Sequence, residues 1–261
     1  MRNRLVICAA FVATFISAAV SVSASQGALG QATADRDRVE ALRHYRLGQD
    51  SMRSEHYDDA EKEFQTASKL DPSLELAPYG LGQVYMATKR FRPAIVAYGK
   101  CRDVIHSNAV AAAGDELAYQ RRINDAITAL EDELRLYSQG GKSGTTPAAI
   151  NNQRTLGMRI QALKDAKHRA IGAAQPTPAW ISLALGSAYF RADVMADAER
   201  EYRAAIDVDP KLGEAHNNLA VVCLLTGRAA DADVEIKAAE KAGFKVNPAL
   251  KEDVKKALAS R

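Results

Sequence analysis

Large apolar and small residues recur along this chain in a pattern that repeats every 34 residues. Each repeat has mostly large residues at positions 7 and 24 and mostly Gly or Ala at positions 8, 20 and 27. Breaks such as Thr226-Gly227-Arg228 divide each repeat into two halves. Each repeat therefore predicts two helices, and the small residues let their backbones approach closely. The pattern occupies residues 41–74, 75–108, 179–212 and 213–246.

Two Asp-Pro dipeptides, Asp71-Pro72 and Asp209-Pro210, fix the frame of the repeat. Each ends the second helix of its repeat, because the residue before a proline is pushed out of the helical region. The repeat positions of the third window hold Leu185-Gly186, Tyr189, Ala198, Tyr202, Ala205 and Pro210. This pattern resembles the tetratricopeptide repeat (TPR). The resemblance implies an all-α fold, a right-handed α-solenoid of four repeats in which the first helix of each repeat lines a concave face.

The repeat pattern is absent between residues 109 and 178. We predict one helix over about 108–138 and a second over about 148–173, joined by a loop rich in Gly, Ser and Thr at residues 140–147. Two amphipathic helices with a short connection form a long helical hairpin. This hairpin either stacks as an enlarged helix pair or projects outward, and in both cases we expect it to divide the solenoid into two halves. Residues 247–261 predict a polar capping helix that closes the last repeat.

The N-terminus carries the most apolar run of the chain. Residues 1–24 have a basic start, an apolar middle and a Val22-Ser23-Ala24 end, which is the pattern of a cleaved signal peptide. Residues 25–40 then read as a flexible lead-in. We therefore expect a periplasmic or secreted protein. The alternative is an uncleaved inner-membrane anchor, because the run approaches the length that spans a bilayer.

The signal segment changes the meaning of the charge. The whole chain has 35 basic and 32 acidic residues, a net charge of +3. Arg2 and Arg4 lie in this segment, which contains no acidic residue. The protein without the segment therefore has 33 basic and 32 acidic residues, a net charge of +1. A nearly neutral protein gives no electrostatic reason to expect nucleic acid as a partner. Recognition should then rest on shape and apolar groups.

No residue pattern points to catalysis. The five histidines are not spaced as metal ligands, and His44 and His216 stand at a packing position of their repeats. Cys101 and Cys223 could form a disulfide in an oxidising compartment, although both occupy packing positions of repeats that are not neighbours. We therefore predict a protein with no metal, no cofactor, no small-molecule substrate and no enzymatic activity.

The TPR resemblance implies a binding groove formed by positions 2, 5, 9 and 12 of each first helix, joined by Asn218 at position 6. Its aromatic, thioether and amide side chains suit an extended peptide or an amphipathic helix. The basic residues with which some TPR proteins hold a terminal carboxylate are missing. Alternatively, some of these side chains, Trp180 especially, pack under the hairpin. The candidate groove residues are Tyr45, Gln49, Met52, Tyr79, Gln83, Met86, Trp180, Leu183, Phe190, Asn217 and Asn218.

The sequence thus predicts a non-catalytic adaptor or scaffold of the cell envelope that binds a protein partner in the concave TPR groove. The competing hypothesis is a membrane-anchored subunit of an assembly or secretion machinery that keeps its N-terminal helix.

Overall fold

The computed structural model describes residues 33–112, 116–139, 147–168 and 176–259. These residues form eleven helices and no strand, which confirms the predicted all-α fold. The signal-peptide prediction lies outside the described residues, and no described helix has the length and apolarity to cross a bilayer. The flexible lead-in expected over residues 25–40 is wrong for residues 33–40, which belong to the first helix. The helices are α1 (33–53), α2 (Tyr57–Leu70), α3 (Leu76–Ala87), α4 (Phe91–Ala112), α5 (Glu116–Gln139), α6 (Pro147–His168), α7 (Ala179–Arg191), α8 (Met195–Val208), α9 (Gly213–Leu225), α10 (Ala229–Lys241) and α11 (Pro248–Ala259).

Four helix pairs, α1/α2, α3/α4, α7/α8 and α9/α10, carry the four repeats. Inside a pair, the small residue at position 8 faces the large residue at position 24. A Cβ atom on Gly82 would lie 2.3 Å from the ring of Tyr98, and one on Gly186 would lie 2.6 Å from the ring of Tyr202. The close helix packing expected from the small residues is therefore present.

The turn inside each pair has one backbone conformation. Position 15 of every repeat has a positive φ: 59° at Glu55, 57° at Lys89, 62° at Asp193 and 77° at Gly227. Only the last is a glycine, although a left-handed conformation costs other residues roughly 1 kcal/mol. The similar turns give the four pairs the same local geometry, on which regular stacking depends.

The repeats stack continuously despite the insertion between them. Helix α4 of the second repeat packs directly against α7 of the third. His106 Nε2 lies 3.1 Å from Thr177 Oγ1, and Arg102 Nη1 lies 3.2 Å from Glu201 Oε1. The chain therefore leaves the stack and returns to it at one place. The expectation that the hairpin divides the solenoid is wrong: it interrupts the sequence of repeats without separating them.

The hairpin consists of α5 and α6, which run antiparallel. Lys164 Nζ lies 2.8 Å from Glu131 Oε1, and Lys167 Nζ donates to Asn124 Oδ1 over 3.0 Å. The first helix of the hairpin was expected to begin near residue 108, but residues 108–112 continue α4 and α5 begins at Glu116. Of the expected loop at residues 140–147, residues 140–146 lie outside the described residues and Pro147 begins α6.

The hairpin neither extends the stack nor projects from it, because it lies across the first helices of the repeats. Arg38 of α1 pairs with Asp125 of α5 over 2.8 Å. The apolar seam of α5, including Ile123, Ile127 and Leu130, joins one buried cluster with residues of α1, α2 and α3. Burial of this seam explains the hairpin's position, since the seam and the concave face each have apolar surface to cover.

The last helix covers the end of the stack. Helix α11 packs on α10, and its Val254 is buried in a cluster with Phe244 and Leu250. Lys251 Nζ lies 2.8 Å from Glu240 Oε1 of α10. An apolar inner face and a charged outer face are what a terminal helix of a solenoid requires.

Candidate partner-binding groove

The concave face is partly filled by the chain itself, beginning at Tyr45. This predicted groove residue is 1% exposed, and its hydroxyl donates to Glu133 Oε2 of the hairpin over 3.0 Å. The same hydroxyl accepts a hydrogen bond from Gln49 Nε2 over 2.8 Å. Tyr45 therefore holds the hairpin in place and is closed to a partner.

Arg159 of α6 forms the second attachment of the hairpin. Its guanidinium lies 4.1 Å from the ring centroid of Tyr79 and 5.2 Å from that of Trp180, and the two rings form an edge-to-face pair at 5.1 Å. Cation–π contacts of desolvated groups each contribute up to about 2 kcal/mol. Trp180 is 5% exposed, so the alternative in which it packs under the hairpin is the one the structure adopts.

The surroundings of Arg159 are electrostatically unusual. The residue is 1% exposed, yet none of its three guanidinium nitrogens has a hydrogen-bond partner among the described residues. Glu133 and Glu75 are acidic neighbours, but neither forms an ion pair with it within 4 Å. Burial raises the pKa of both carboxyls, and the Arg159 charge opposes that shift. This cluster holds the hairpin through ring contacts and long-range attraction.

An open groove of about 680 Å³ remains beside the hairpin tip, and we call it the composite groove. One wall consists of repeat helices and the other of the hairpin. From the repeats it includes Gln49, Met52, Arg53, Glu55, Tyr79, Gln83, Met86, Trp180, Leu183, Ser187 and Glu214, and from the hairpin Leu136, Tyr137, Asn151, Asn152 and Thr155.

The composite groove contains seven of the eleven candidate residues. Of the other four, Tyr45 is covered, while Phe190, Asn217 and Asn218 are half-buried on α7 and α9 and do not line the groove. Asn217 Nδ2 donates to Asn218 Oδ1 over 3.2 Å. The sequence prediction missed the whole hairpin wall, because the TPR pattern identifies groove positions only on repeat helices.

Two buried acceptor atoms of the groove have no donor. Gln83 Oε1 and Glu214 Oε2 lack a hydrogen-bond partner in the described parts of the chain. The other oxygen of Glu214 accepts from Asn151 Nδ2 over 3.3 Å, which links the two walls. Burial raises the pKa of Glu214, and the hydrogen bond from Asn151 opposes that shift.

A second cavity of about 340 Å³ lies near the base of the hairpin. Its lining is mainly apolar and includes Ile105, Ile123 and Met158, together with Arg159. Trp180 lines both this cavity and the composite groove, so its side chain lies between the two hollows.

The other residues considered for chemistry have structural roles. His44 Nδ1 lies 2.5 Å from Glu63 Oε2, and His216 Nδ1 lies 2.6 Å from Glu235 Oε2, so both histidines tie together the two helices of a repeat. Cys101 and Cys223 are free and buried in different clusters. Within the described ranges, no three His, Cys, Asp or Glu residues are grouped as metal ligands.

Comparison with known families identifies the repeats. Family models described as tetratricopeptide repeat match residues 41–74 and 183–242, which cover the first repeat and most of the third and fourth. These parts of the chain are tetratricopeptide repeats. TPR modules generally mediate protein–protein interactions and are typically non-catalytic.

The solved structures that match this chain share little sequence with it. PilW, a type IV pilus biogenesis factor, is 17% identical over 84% of this chain and 86% of its own, with a TM-score of 0.40. PilF of Pseudomonas aeruginosa is 15% identical over 81% and 79%, with a TM-score of 0.34. A thermophilic TPR protein of Thermus thermophilus, TTC0263, is 21% identical over 84% and 99%, with a TM-score of 0.29. No function follows from resemblances this distant. A search of curated protein sequences found no significant match.

Proposed function

We propose that this TPR protein is a non-catalytic interaction scaffold of the cell envelope that binds a segment of a protein partner in the composite groove. The observation that carries the proposal is the composition of this groove. Met52 and Met86 offer apolar surface, and Gln83 and Asn152 offer amides within the same hollow. Apolar anchors beside groups that pair with a polypeptide backbone are the usual elements of peptide recognition.

The proposal places the partner beside the hairpin instead of along the whole concave face. Tyr45 and Arg159 are each 1% exposed, so a partner does not reach either side chain while the hairpin stays in place. Met86 and Gln83 are only half-buried and line the open hollow. These two residues are therefore groove positions that a partner reaches without displacing the hairpin.

Assignment to the envelope rests on residues 1–24, which have the three-part pattern of a signal peptide. The second candidate, a membrane-anchored assembly or secretion subunit, is favoured by the length of the apolar run from Leu5 to about Val20. Sequencing the N-terminus of protein purified from an envelope fraction separates the two. A start at Ser25 supports the cleaved form, and a start at Met1 supports the anchored form.

Substitution of Met86 tests the groove. We expect Met86→Glu to reduce partner capture from a periplasmic extract by at least about tenfold, because it places a charge on the apolar wall. The control is Val96→Glu, which adds the same charge at a 72% exposed position outside the groove. Quantitative mass spectrometry of the captured proteins gives the readout, and circular dichroism checks folding. Equal capture by the Met86→Glu variant and the wild type would place the binding site elsewhere.

A further inference from the structure

The charged side chains of the composite groove indicate what kind of segment it accepts. Arg53, Glu55 and Glu214 are the charged residues of its described lining. We propose that the composite groove binds an extended, basic peptide segment whose Lys or Arg side chain pairs with Glu214. This inference rests on the proposed function and adds the chemistry of the partner.

Glu214 is the residue that requires a cation. It lies in the first turn of α9, where the helix dipole favours a carboxylate. The side chain is half-buried, and no Lys, Arg or His of the described chain comes within 4 Å of it. Arg154, which acts on it from a distance, has its guanidinium 5.6 Å from the ring centroid of Phe244. One carboxylate oxygen thus stays buried without a donor among the described residues, and a bound ammonium or guanidinium group would supply one.

The other end of the groove has the same sign of charge. Arg53 pairs with Asp50 one turn earlier, which neutralises the single cation of the described lining. Glu55 is exposed on the turn between α1 and α2 and has no ion pair among the described residues. Glu55 near α1 therefore has no contacting cation among the described residues, and Glu214 near α9 has only the distant Arg154. A segment with basic side chains complements both.

The amides indicate an extended segment. Gln83 Oε1 is a buried acceptor without a donor in the described chain, and Asn151, Asn152 and Thr155 line the groove from the hairpin wall. An extended peptide has free backbone N–H and C=O groups for both walls. A helical ligand satisfies its own backbone groups internally and could donate to the Gln83 oxygen only from a side chain.

The hairpin gives this site a feature that a simple TPR groove lacks. Asn151 of α6 already donates to Glu214 of α9 over 3.3 Å, so the acidic residue is positioned from both walls. A bound cation at Glu214 would contact this junction between hairpin and repeats. The specificity of the groove for basic segments thus depends on the insertion as well as on the repeats.

Binding of short defined peptides to the full chain tests the proposal. The probes are fluorescein-labelled peptides of sequence Ala-Leu-Xaa-Leu-Ala with a blocked C-terminus, where Xaa is Lys, Arg, Gln or Glu. We expect the Lys and Arg peptides to bind at least about tenfold more tightly than the Gln peptide, and the Glu peptide to bind most weakly. Fluorescence anisotropy gives the affinities, and emission of Trp180, the single tryptophan, reports occupancy of the groove.

Isosteric variants separate the charge effect from folding. Glu214→Gln should reduce the preference for Lys over Gln to less than about twofold, whereas Glu116→Gln should keep the full preference. Glu116 is the matched control because it is an exposed acid in the first turn of α5 outside the groove. The preference should also decline as the pH falls from 7 towards 5, since burial raises the pKa of Glu214 and protonation removes its charge.

Three results would overturn the inference. They are equal binding of all four peptides, a preference for Lys that survives in Glu214→Gln, and no binding of the Lys peptide at concentrations up to about 5 mM. In each case the proposed function is judged separately, by whether Met86→Glu abolishes capture of the natural partner.

Discussion

At the scale of single residues, Arg159 determines how the concave face is used. A buried guanidinium normally has several hydrogen bonds or a contacting carboxylate, because desolvating a charge costs several kcal/mol. Arg159 has instead two aromatic rings and two acidic groups beyond ion-pair distance. Arg159 therefore contacts the repeats although no carboxylate pairs directly with its charge. Burial of apolar side chains of α5 and α6 stabilises the docked hairpin further.

Substitutions of Arg159 measure this balance. We expect Arg159→Ala to lower the free energy of unfolding by about 3 to 5 kcal/mol, because it leaves a cavity beside Tyr79 and Trp180. Arg159→Met fills most of the same space without a charge and should cost about 1 kcal/mol. Urea unfolding followed by circular dichroism gives the values.

Lys164→Ala is the control for Arg159, since Lys164 lies on the same helix and its ion pair with Glu131 is exposed. It should change stability by less than about 0.5 kcal/mol. A loss in Arg159→Met as large as that in Arg159→Ala would show that the guanidinium charge itself, and not its volume, holds the hairpin.

At the scale of helices and repeats, one contact accounts for the regularity of the fold. Gly48, Gly82 and Gly186 occupy position 8, and each would place a Cβ atom less than 3 Å from the aromatic ring at position 24 of its own repeat. The fourth repeat uses Ala220 and Ile236, a slightly larger residue facing a narrower one, and both are buried. Helix spacing within a pair is thus set by matched residue sizes.

This matching predicts opposite effects for two glycines in one repeat. Gly82→Ala should destabilise the protein by about 1 to 3 kcal/mol, because its Cβ would meet the Tyr98 ring at 2.3 Å. Gly99→Ala should stabilise it by about 0.5 to 1 kcal/mol, since no heavy atom lies within 4 Å and alanine favours a helix interior. Thermal unfolding compares the two. If both variants stabilised the protein, the Tyr98 ring would be free to move aside.

The same contact explains which features the sequence could predict. A small residue at position 8 and a large residue at position 24 recur in all four repeats. The amino-acid sequence alone therefore shows this pairing of residue sizes. Docking of the hairpin follows no such rule. Arg159 lies in a sequence of polar and apolar residues that any exposed helix could have, and its burial arises from Tyr79 and Trp180, which lie about 80 and 20 residues away. The hairpin wall of the groove was missed for that reason.

At the scale of the whole molecule, the hairpin and the repeats have separable roles. Contact between α4 and α7 closes the stack without the hairpin, whereas the hairpin covers the concave side and forms one wall of the composite groove. His106 and Thr177 lie in contact on either side of the insertion, so its two ends are close in space. The repeats provide the frame, and the insertion provides part of the binding surface.

Excision of the hairpin tests this division. We expect a chain in which residues 113–175 are replaced by a Gly-Ser linker of about six residues to remain folded, since such a linker spans about 20 Å and the α4–α7 interface is retained. Loss of the hairpin removes the cover from Tyr45, Tyr79 and Trp180. Stability should therefore fall, and the emission of Trp180 should shift to longer wavelength and become sensitive to acrylamide. Circular dichroism and fluorescence measure both effects. A loss of helix content well beyond that of α5 and α6 would instead mean that the repeats need the hairpin in order to stack.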